Sequence, residues 1–492
     1  MEQEEIDYPV LRNHPTVIIG NIVTSLLVVG FIVLVNLRSI EEGGLEFNIR
    51  WVLVGLLILA GLTFIFWRRW KLTTFTFGPT ELTVKRDTIF KYEAHIQYSR
   101  LASVNVRRNI INHIFDTTQL LFNVNSSVNS NRAEATLTLK SYEADKLREK
   151  ISSMIFQKEM VMEEETQRES LVKVSNSDII LHGLIGQPSI QSIIGIGTLI
   201  YSVATLILGN GTGFIPALII FVFTSAVPWI RTILRYSNYR IYRVDDTITV
   251  ESGLINNYRS SFKINKVNSV RIRQPLIARS LGMALLEAEV IGIADSDGMP
   301  LLCPLKSKEI VLNLGAAIVP EFMKDFDHHS QPSKALIPTM FYKVILAAGS
   351  TILGLVLLIL IQSLSPQGLE RIVSDIVILV PLIILPILLI VHGILAQKGR
   401  EFAMGEEIFM FIIGGYDRET DFIRYDKVQM TRVSNGPIQR RFGVSRCTVS
   451  LMSSMGAKNI TSGVFFTNEL ERVSDEIMAR IRDGRYDYRK YQ

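Results

Sequence analysis

Six long apolar runs that contain no charged side chain constrain this chain more than any other feature of its sequence. Each run has 17 to 22 residues, and about 20 apolar residues are enough for a helix to cross the hydrocarbon core of a bilayer. We therefore predict six transmembrane helices, arranged as three hairpins. The runs occupy residues 16–37, 51–67, 190–208, 213–230, 344–361 and 376–396.

The polar segments between these runs carry all of the charge. The chain has 492 residues, of which 48% are hydrophobic and 20% are charged, and its mean hydropathy is +0.27. This balance excludes a disordered chain, a collagen and a small disulfide scaffold. The only cysteines, Cys303 and Cys447, lie far apart in sequence, which predicts a reducing compartment. The net charge of +5 is modest and gives no reason to expect nucleic-acid binding.

Each pair of runs is followed by a polar segment, and the three polar segments share one pattern. Apolar residues recur at the first, third and sixth positions of a nine-residue stretch, with a basic residue at the fifth. The three stretches are offset by 166 and 161 residues, so the chain repeats one long unit three times. They are 96–104, 262–270 and 423–431, and the basic residues are Arg100, Lys266 and Lys427.

Within each copy of the polar unit, strand patterns precede a closing helix. A Ser or Thr followed two residues later by Glu begins each predicted helix, because the hydroxyl can cap free N–H groups and the carboxylate favours the positive end of the helix dipole. These residues are Ser141, Ser307 and Thr467. The predicted strands include 82–84, 136–139, 248–250, 409–411 and 448–451.

The distribution of Lys and Arg predicts the orientation in the membrane. Basic residues follow the second run of every pair, whereas the hairpin loops have few, so both termini and all three polar units should be cytoplasmic. The first run has no cleavage site after it and is predicted to be a retained span. The predicted boundaries are 1–67, 189–230 and 336–397 for the hairpins, and 68–188, 231–335 and 398–492 for the polar units.

A strand meander closed by one helix is the layout of a pleckstrin-homology (PH)-like split barrel. The segments 436–443 and 274–282, each with a Pro and a final Gly, resemble the bacterial PH-like domain of the YdbS/YdbT membrane family. Copy one departs from this pattern at 109–116, which lacks the Pro and ends in Asp116. The resemblance implies a fold class of membrane α plus α+β, with six transmembrane helices in three hairpins, each followed by a split barrel with a C-terminal helix.

The same resemblance implies partners and a role, but no catalytic residues. It implies assembly with a smaller, YdbS-like homologue that has one such unit, and a contribution to protection against membrane-active peptides. The sequence itself contains no P-loop, HExxH or GxSxG motif, so we expect no enzyme activity and no cofactor. His328 and His329, the only adjacent histidines, are interpreted as part of a solvated linker, and no metal site is predicted.

Basic residues near one turn of each copy are the candidate functional sites. On the inner leaflet such residues can contact anionic lipid headgroups, and we expect contact with the lipid bilayer or a partner there. The alternative is that they are charged strand edges that prevent edge pairing. The candidates are Arg107, Arg108, Arg271, Arg273, Arg440 and Arg441.

Two functions follow from this layout. The first is a multi-pass scaffold or sensor in the cytoplasmic membrane that presents three PH-like domains for assembly or for contact with anionic lipid. The alternative is a component of an export or permease complex, since Pro228, Pro381 and Pro386 lie within predicted spans and broken helices can line transport sites. Ordinary kinked, packed helices would contain the same prolines.

Overall fold

The computed structural model describes twelve long segments of the chain and one short one. They fall into two compact units, of which the first is Met1–Glu169, Thr249–Phe262 and Gly292–Ala294, and the second is Ser170–Ile248, Lys263–Ile291 and Asp295–Gln492. The described residues are 10–22, 25–26, 44–88, 91–98, 101–124, 135–156, 170–207, 217–254, 257–290, 300–323, 327–364, 369–453 and 456–482.

Copy one of the polar unit lies in the first compact unit and has two sheets. Its first sheet has four strands that neighbour one another in chain order. Alternating Thr and Phe over Thr73–Phe77 direct Phe75 and Phe77 into the core. The elements are β1 (Val10–Leu11), α1 (Gly44–Lys71), β2 (Thr73–Phe77), β3 (Glu81–Asp87) and β4 (Lys91–Gln97).

The second sheet of copy one and a closing helix complete a split barrel. The closing helix, Ser141–Phe156, packs its buried Ala144 and Ile151 against a core that includes Phe75, Leu120 and Phe122. The predicted closing helix and the predicted strand at 136–139 are therefore both present. The elements are β5 (Leu101–Arg108), α2 (Ile110–Ile114), β6 (Thr117–Val124), β7 (Ala135–Lys140) and α3 (Ser141–Phe156).

Copy two repeats this order after three helices. The first of them, Asn176–Ile185, lies at the end of the segment predicted as the first PH-like unit, but it contacts copy two, where Asp178 pairs with Lys306. The elements are α4 (Asn176–Ile185), α5 (Ser189–Ile207), α6 (Ala217–Tyr236), β8 (Arg240–Val244), β9 (Thr247–Ser252), β10 (Asn257–Lys263), β11 (Val267–Gln274), α7 (Leu276–Ser280), β12 (Met283–Val290), β13 (Leu301–Ser307) and α8 (Lys308–Ile318).

Copy three is built in the same way around its own core. Phe409, Tyr425, Val449 and the helix residues Leu470 and Ile477 are buried together. The elements are β14 (His329–Ser330), α9 (Leu336–Leu364), α10 (Leu369–Lys398), β15 (Glu401–Met404), β16 (Ile408–Ile413), β17 (Arg418–Arg424), β18 (Val428–Ser434), α11 (Pro437–Arg441), β19 (Val444–Ser453), β20 (Gly456–Thr461), β21 (Phe465–Phe466) and α12 (Thr467–Arg482).

The turn that differs in sequence between copy one and the others has the same geometry in all three. Asp116, Gly282 and Gly443 occupy equivalent positions and have φ angles of +47°, +68° and +65°. This left-handed conformation suits glycine and is tolerated by Asp better than by most other residues. Asp116 also accepts hydrogen bonds from Arg108 and Ser141, both at 2.8 Å. Copy one therefore keeps the turn without the glycine.

A short segment before each hairpin pairs with the first strand of the copy that follows. Val10 lies opposite Thr76 in β2, and His329 lies opposite Phe402 in β15. In copy two the N–H of Leu171 donates to the carbonyl of Ile241 at 2.8 Å. The structural repeat therefore begins before the apolar runs, and the sequence pattern did not predict this.

Among the described residues, two helices are long and apolar enough to cross a membrane, Ala217–Tyr236 and Ser333–Leu360. A third span would be the pair Asn176–Ile185 and Ser189–Ala204, which is bent by 81°. The prediction of six spans is not confirmed. Run 16–37 is described only at 16–22 and 25–26, and the hairpin loop at 209–212 lies outside the described residues.

Candidate functional site

A strand of copy two pairs with a strand of copy three, and this pairing joins their sheets. β11 runs antiparallel to β17, from Ser269 opposite Ile423 to Gln274 opposite Arg418. The result is one seven-stranded sheet in the order β13-β12-β11-β17-β16-β15-β14. We call this strand pair the second seam.

An ion pair crosses the second seam at its middle. Arg271 donates from Nε to Asp421 Oδ1 at 2.7 Å and from Nη2 to Oδ2 at 3.0 Å, and its Nη1 lies 2.9 Å from Glu419 Oε2. The Asp421 side chain is completely buried. Two parallel hydrogen bonds to one carboxylate are the geometry that guanidinium groups favour. This ion pair therefore favours the observed register, in which Arg271 lies opposite Asp421.

Burial and charge act in opposite directions on the groups of this network. Burial alone would lower the pKa of Arg271, but the charge of Asp421 and its hydrogen bonds outweigh burial, and the pKa lies above its usual value. Burial raises the pKa of Glu419 despite the nearby charge of Arg271. Removing one partner of a buried pair leaves the other charge without compensation, which is costly.

In the first seam a strand of copy one pairs with a strand of copy two, and the paired residues all lie in the first compact unit. β5 runs antiparallel to β10, with Arg107 opposite Tyr258, and the guanidinium carbon of Arg107 lies 5.7 Å from the centre of the Tyr258 ring. Arg107 and Tyr258 are the counterparts of Arg273 and Glu419, which also lie opposite each other. The two seams therefore share one register.

Four of the six candidate arginines lie at or beside the seams and have partners within the protein. Arg108 Nη2 lies 2.8 Å from Asp116, and Arg273 Nη2 lies 3.2 Å from Glu287 and donates to the carbonyl of Gly186. The partners of Arg271 are about 150 residues away in sequence, which is why the local pattern did not reveal them. Lipid contact by these four arginines remains a prediction, and carboxylates already partly neutralise the charges of Arg108, Arg271 and Arg273.

Arg440 and Arg441 are placed differently. Both are exposed at the end of α11, and within the described residues neither forms an ion pair. The helix is positioned by Pro437 in its first turn and by the Gly436 N–H, which donates to Gln439 at 2.9 Å. Of the predicted sites, this pair presents the most uncompensated positive charge.

A second basic group was not predicted from the sequence. The Nε atoms of Arg400 and Arg446 and the Nζ atom of Lys343 are buried and have no hydrogen-bond partner within the described part of the chain. Burial and the neighbouring charge of Arg446 lower the pKa of Arg400 to about 10. Lys343 lies near the start of α9, and Arg400 follows the end of α10, so both lie at the open end of hairpin three. We call Lys343, Arg400 and Arg446 the hairpin-three basic group.

Histidines and cysteines show no sign of metal chemistry in the described segments. His328 Nδ1 lies 3.1 Å from Glu401, and the ring of His329 stacks on Phe402 with centroids 4.9 Å apart. No group of three or more metal-binding side chains is found among the described residues. Cys303 and Cys447 are buried free thiols, and burial raises their pKa values to about 12 and about 11.

Comparison with known proteins agrees with the threefold repeat. A family model described as "Bacterial PH domain" matches residues 24–155, 187–316 and 348–481. No curated protein matches the chain significantly, and no solved structure does. Each matched segment begins in an apolar run or just before one and ends in or near the closing helix of the copy that follows.

Proposed function

Because the chain belongs to the bacterial PH domain family, we propose that it is a membrane scaffold. In this proposal three PH-like copies are presented at the inner face of the cytoplasmic membrane, where they assemble proteins and contact anionic lipid. The chain would be a three-unit member of the YdbS/YdbT branch, with six spans and no enzymatic activity or cofactor. Its partner would be a smaller protein with one PH-like unit, and protection against membrane-active peptides would be the physiological outcome.

The two seams are the observation that carries this proposal. Strands that exchange backbone hydrogen bonds must lie on the same side of a membrane. A sheet cannot continue through the hydrocarbon core, because its open edges would leave backbone N–H and C=O groups unpaired there. The pairing of β5 with β10 and of β11 with β17 therefore requires an even number of crossings between successive copies. Two spans before each copy satisfy this requirement, and the basic residues after the second span favour the cytoplasmic side.

The unpaired basic residues support the lipid part of the proposal. Arg440 and Arg441 are exposed and have no carboxylate partner in the described segments, and the hairpin-three basic group lies where a helical hairpin would leave the bilayer. A Lys or Arg near an anionic surface contributes about 1 kcal/mol to binding. Phosphate oxygens would also satisfy the buried N–H donors of the hairpin-three basic group.

Lipid titration of the full chain tests this part. Delipidated protein in a neutral detergent would be titrated with fluorescent phosphatidylglycerol and, separately, with phosphatidylcholine. Arg440→Gln/Arg441→Gln should weaken binding of the anionic lipid about 30-fold, from about 1 kcal/mol for each residue. Lys308→Gln/Arg472→Gln removes the same charge at two other exposed positions and should change affinity little. Equal affinity for both lipids, or equal losses in both variants, would reject lipid contact at this site.

A permease or export component remains the second candidate, and one observation favours it. Helices α4 and α5 are bent by 81° at a short break, and broken helices can line a path for a substrate. Purified protein in liposomes would then move a solute or an antimicrobial peptide. If no flux is measured while lipid binding is retained, the scaffold is favoured.

A further inference from the structure

One edge of copy three is open where the matching edges of copies one and two are filled. The free edge of β5 pairs with β10, and that of β11 pairs with β17. Their counterpart β18 has only β19 beside it among the described strands, in the order β18-β19-β20. We call β18 the tail edge.

Burial shows the same difference between the filled and the open edge. Ser269 on β11 is completely buried, whereas Met430, at the equivalent position on β18, is 53% exposed. Arg432, the counterpart of Arg271, is exposed as well. The irregularity at the start of β18, between Val428 and Met430, does not block pairing, because β11 has the same irregularity and is paired.

Copy one has the complementary open edge. β4 is the counterpart of β10 and β17, and among the described strands it ends its sheet, in the order β1-β2-β3-β4. Most of its residues are exposed, including Tyr92 at 39%. We call β4 the head edge. An exposed strand edge is a template for pairing with another chain unless something blocks it.

We propose that the tail edge of one molecule pairs with the head edge of a second copy of this chain, in the register of the two internal seams. Arg432 would lie opposite Ala94, which is the counterpart of Asp421. Val433 would lie opposite Glu93, and Ser434 opposite Tyr92. The contact is head to tail, so repetition gives an open row or a closed ring.

Two features favour a second copy over other occupants. Both seams pair a counterpart of β4 with a counterpart of β18 in one register. If β4 and β18 pair in that register, no like charges face each other. In addition, one such contact fills both open edges, whereas pairing of β18 with β18 leaves every β4 open. The proposal deepens the scaffold function and rests on its placement of all copies at one membrane face.

Cysteine cross-linking of the full chain tests the pairing. Two differently tagged chains, one with Arg432→Cys and one with Ala94→Cys, would be co-expressed and oxidised mildly in native membranes. Cys303 and Cys447 can stay because both are buried. We expect a reducible adduct that contains both tags. The matched control replaces Ala94→Cys with Glu93→Cys, which points to the opposite face of β4 and should give far less adduct.

A charge exchange tests the same register without oxidation. Ala94→Arg should reduce the assembled fraction in sedimentation velocity, since it would face Arg432, and Ala94→Asp should increase it by reproducing the pair at the second seam. Arg432→Asp combined with Ala94→Arg should restore assembly. These changes leave Arg440 and Arg441 untouched, so lipid binding should be unchanged, and a failure here is separable from a failure of lipid contact.

Three outcomes would overturn the proposal. The first is the absence of any adduct together with a single protomer in sedimentation. The second is an adduct formed by chains that carry Arg432→Cys alone, which would show pairing of two tail edges. The third is an adduct of the tail edge with a different, smaller protein, which would assign this edge to a single-unit partner instead of a second copy.

Discussion

Arg271 and Asp421 are 150 residues apart in sequence, yet two hydrogen bonds of 2.7 and 3.0 Å join them across the second seam. Neither residue has its main ionic partner within its own copy. The pair therefore links copy two to copy three. It also places a requirement on the membrane topology, because both copies must lie on the same side.

Breaking this pair should open the second seam. Asp421→Asn leaves the buried Arg271 charge only partly compensated, and we expect a loss of about 3 kcal/mol in the stability of copies two and three. Arg271→Met/Asp421→Leu removes both charges and should cost less than the single change. Glu476→Ala breaks the pair with Arg480, whose carboxylate partner is 48% exposed, and should cost about 1 kcal/mol or less. Equal losses for the buried and exposed pairs would contradict this role.

The two natural cysteines can report on these losses, because both should be unreactive in the folded protein. Burial raises the pKa of Cys303 to about 12 and that of Cys447 to about 11, so little thiolate forms at pH 8. Alkylation by iodoacetamide should be slow until urea unfolds the chain. Asp421→Asn should speed native-state labelling up to about a hundredfold, which corresponds to about 3 kcal/mol. Labelling of the folded wild type at the rate of the unfolded chain would contradict the burial.

The same pKa shifts predict an alkaline limit to stability. The ordinary pKa of a cysteine thiol is 9, so the unfolded chain ionises both thiols above pH 9, whereas the folded state keeps them protonated. Since the folded state then binds more protons than the unfolded state, stability should fall as the pH rises from about 9 towards 11. Replacing both residues with Ala should flatten that part of the pH profile, measured by urea unfolding between pH 8 and 11.

The left-handed turns give a prediction about backbone strain. Gly282→Ala and Gly443→Ala should each destabilise their copy by about 1–2 kcal/mol, because the positive φ is unfavourable for a residue with a Cβ atom. No atom lies within 4 Å of the added Cβ at either position, so crowding is not the cause. Gly197→Ala, on a helix and also uncrowded, should have no such cost. Labelling of Cys303 and Cys447 would measure the two copies separately.

The repeat, the strands, the closing helices and the turn could be predicted from the sequence, because these features depend on local spacing. The sequence pattern grouped six arginines near one turn of each copy; the structure puts four of them on the seam strands β5 and β11 and puts Arg440 and Arg441 at the end of α11. The seams themselves could not be predicted, since an arginine on a free edge and one facing Asp421 from another copy have the same local pattern. Short pairing segments such as Val10–Leu11 and His329–Ser330 are too brief to show a period.

In the membrane segments, the sequence shows where the apolar runs lie but does not show their geometry. Apolar runs are obvious in the sequence, but composition alone does not distinguish a straight span from a bent one. Helix α10 continues through Pro381 and Pro386, whereas the break between α4 and α5 contains Pro188. A proline in an apolar run therefore does not by itself decide whether the helix continues or breaks.

The membrane topology tests the central claim most directly, since the seams, the lipid contact and the head-to-tail pairing all require the three copies on one face. Alkaline phosphatase, active outside the cytoplasm, and a fluorescent protein, active inside, would be fused after residues 130, 290 and 450. We expect fluorescence and no phosphatase activity at all three positions. Phosphatase activity at any one of them would place that copy on the outer side and contradict the account.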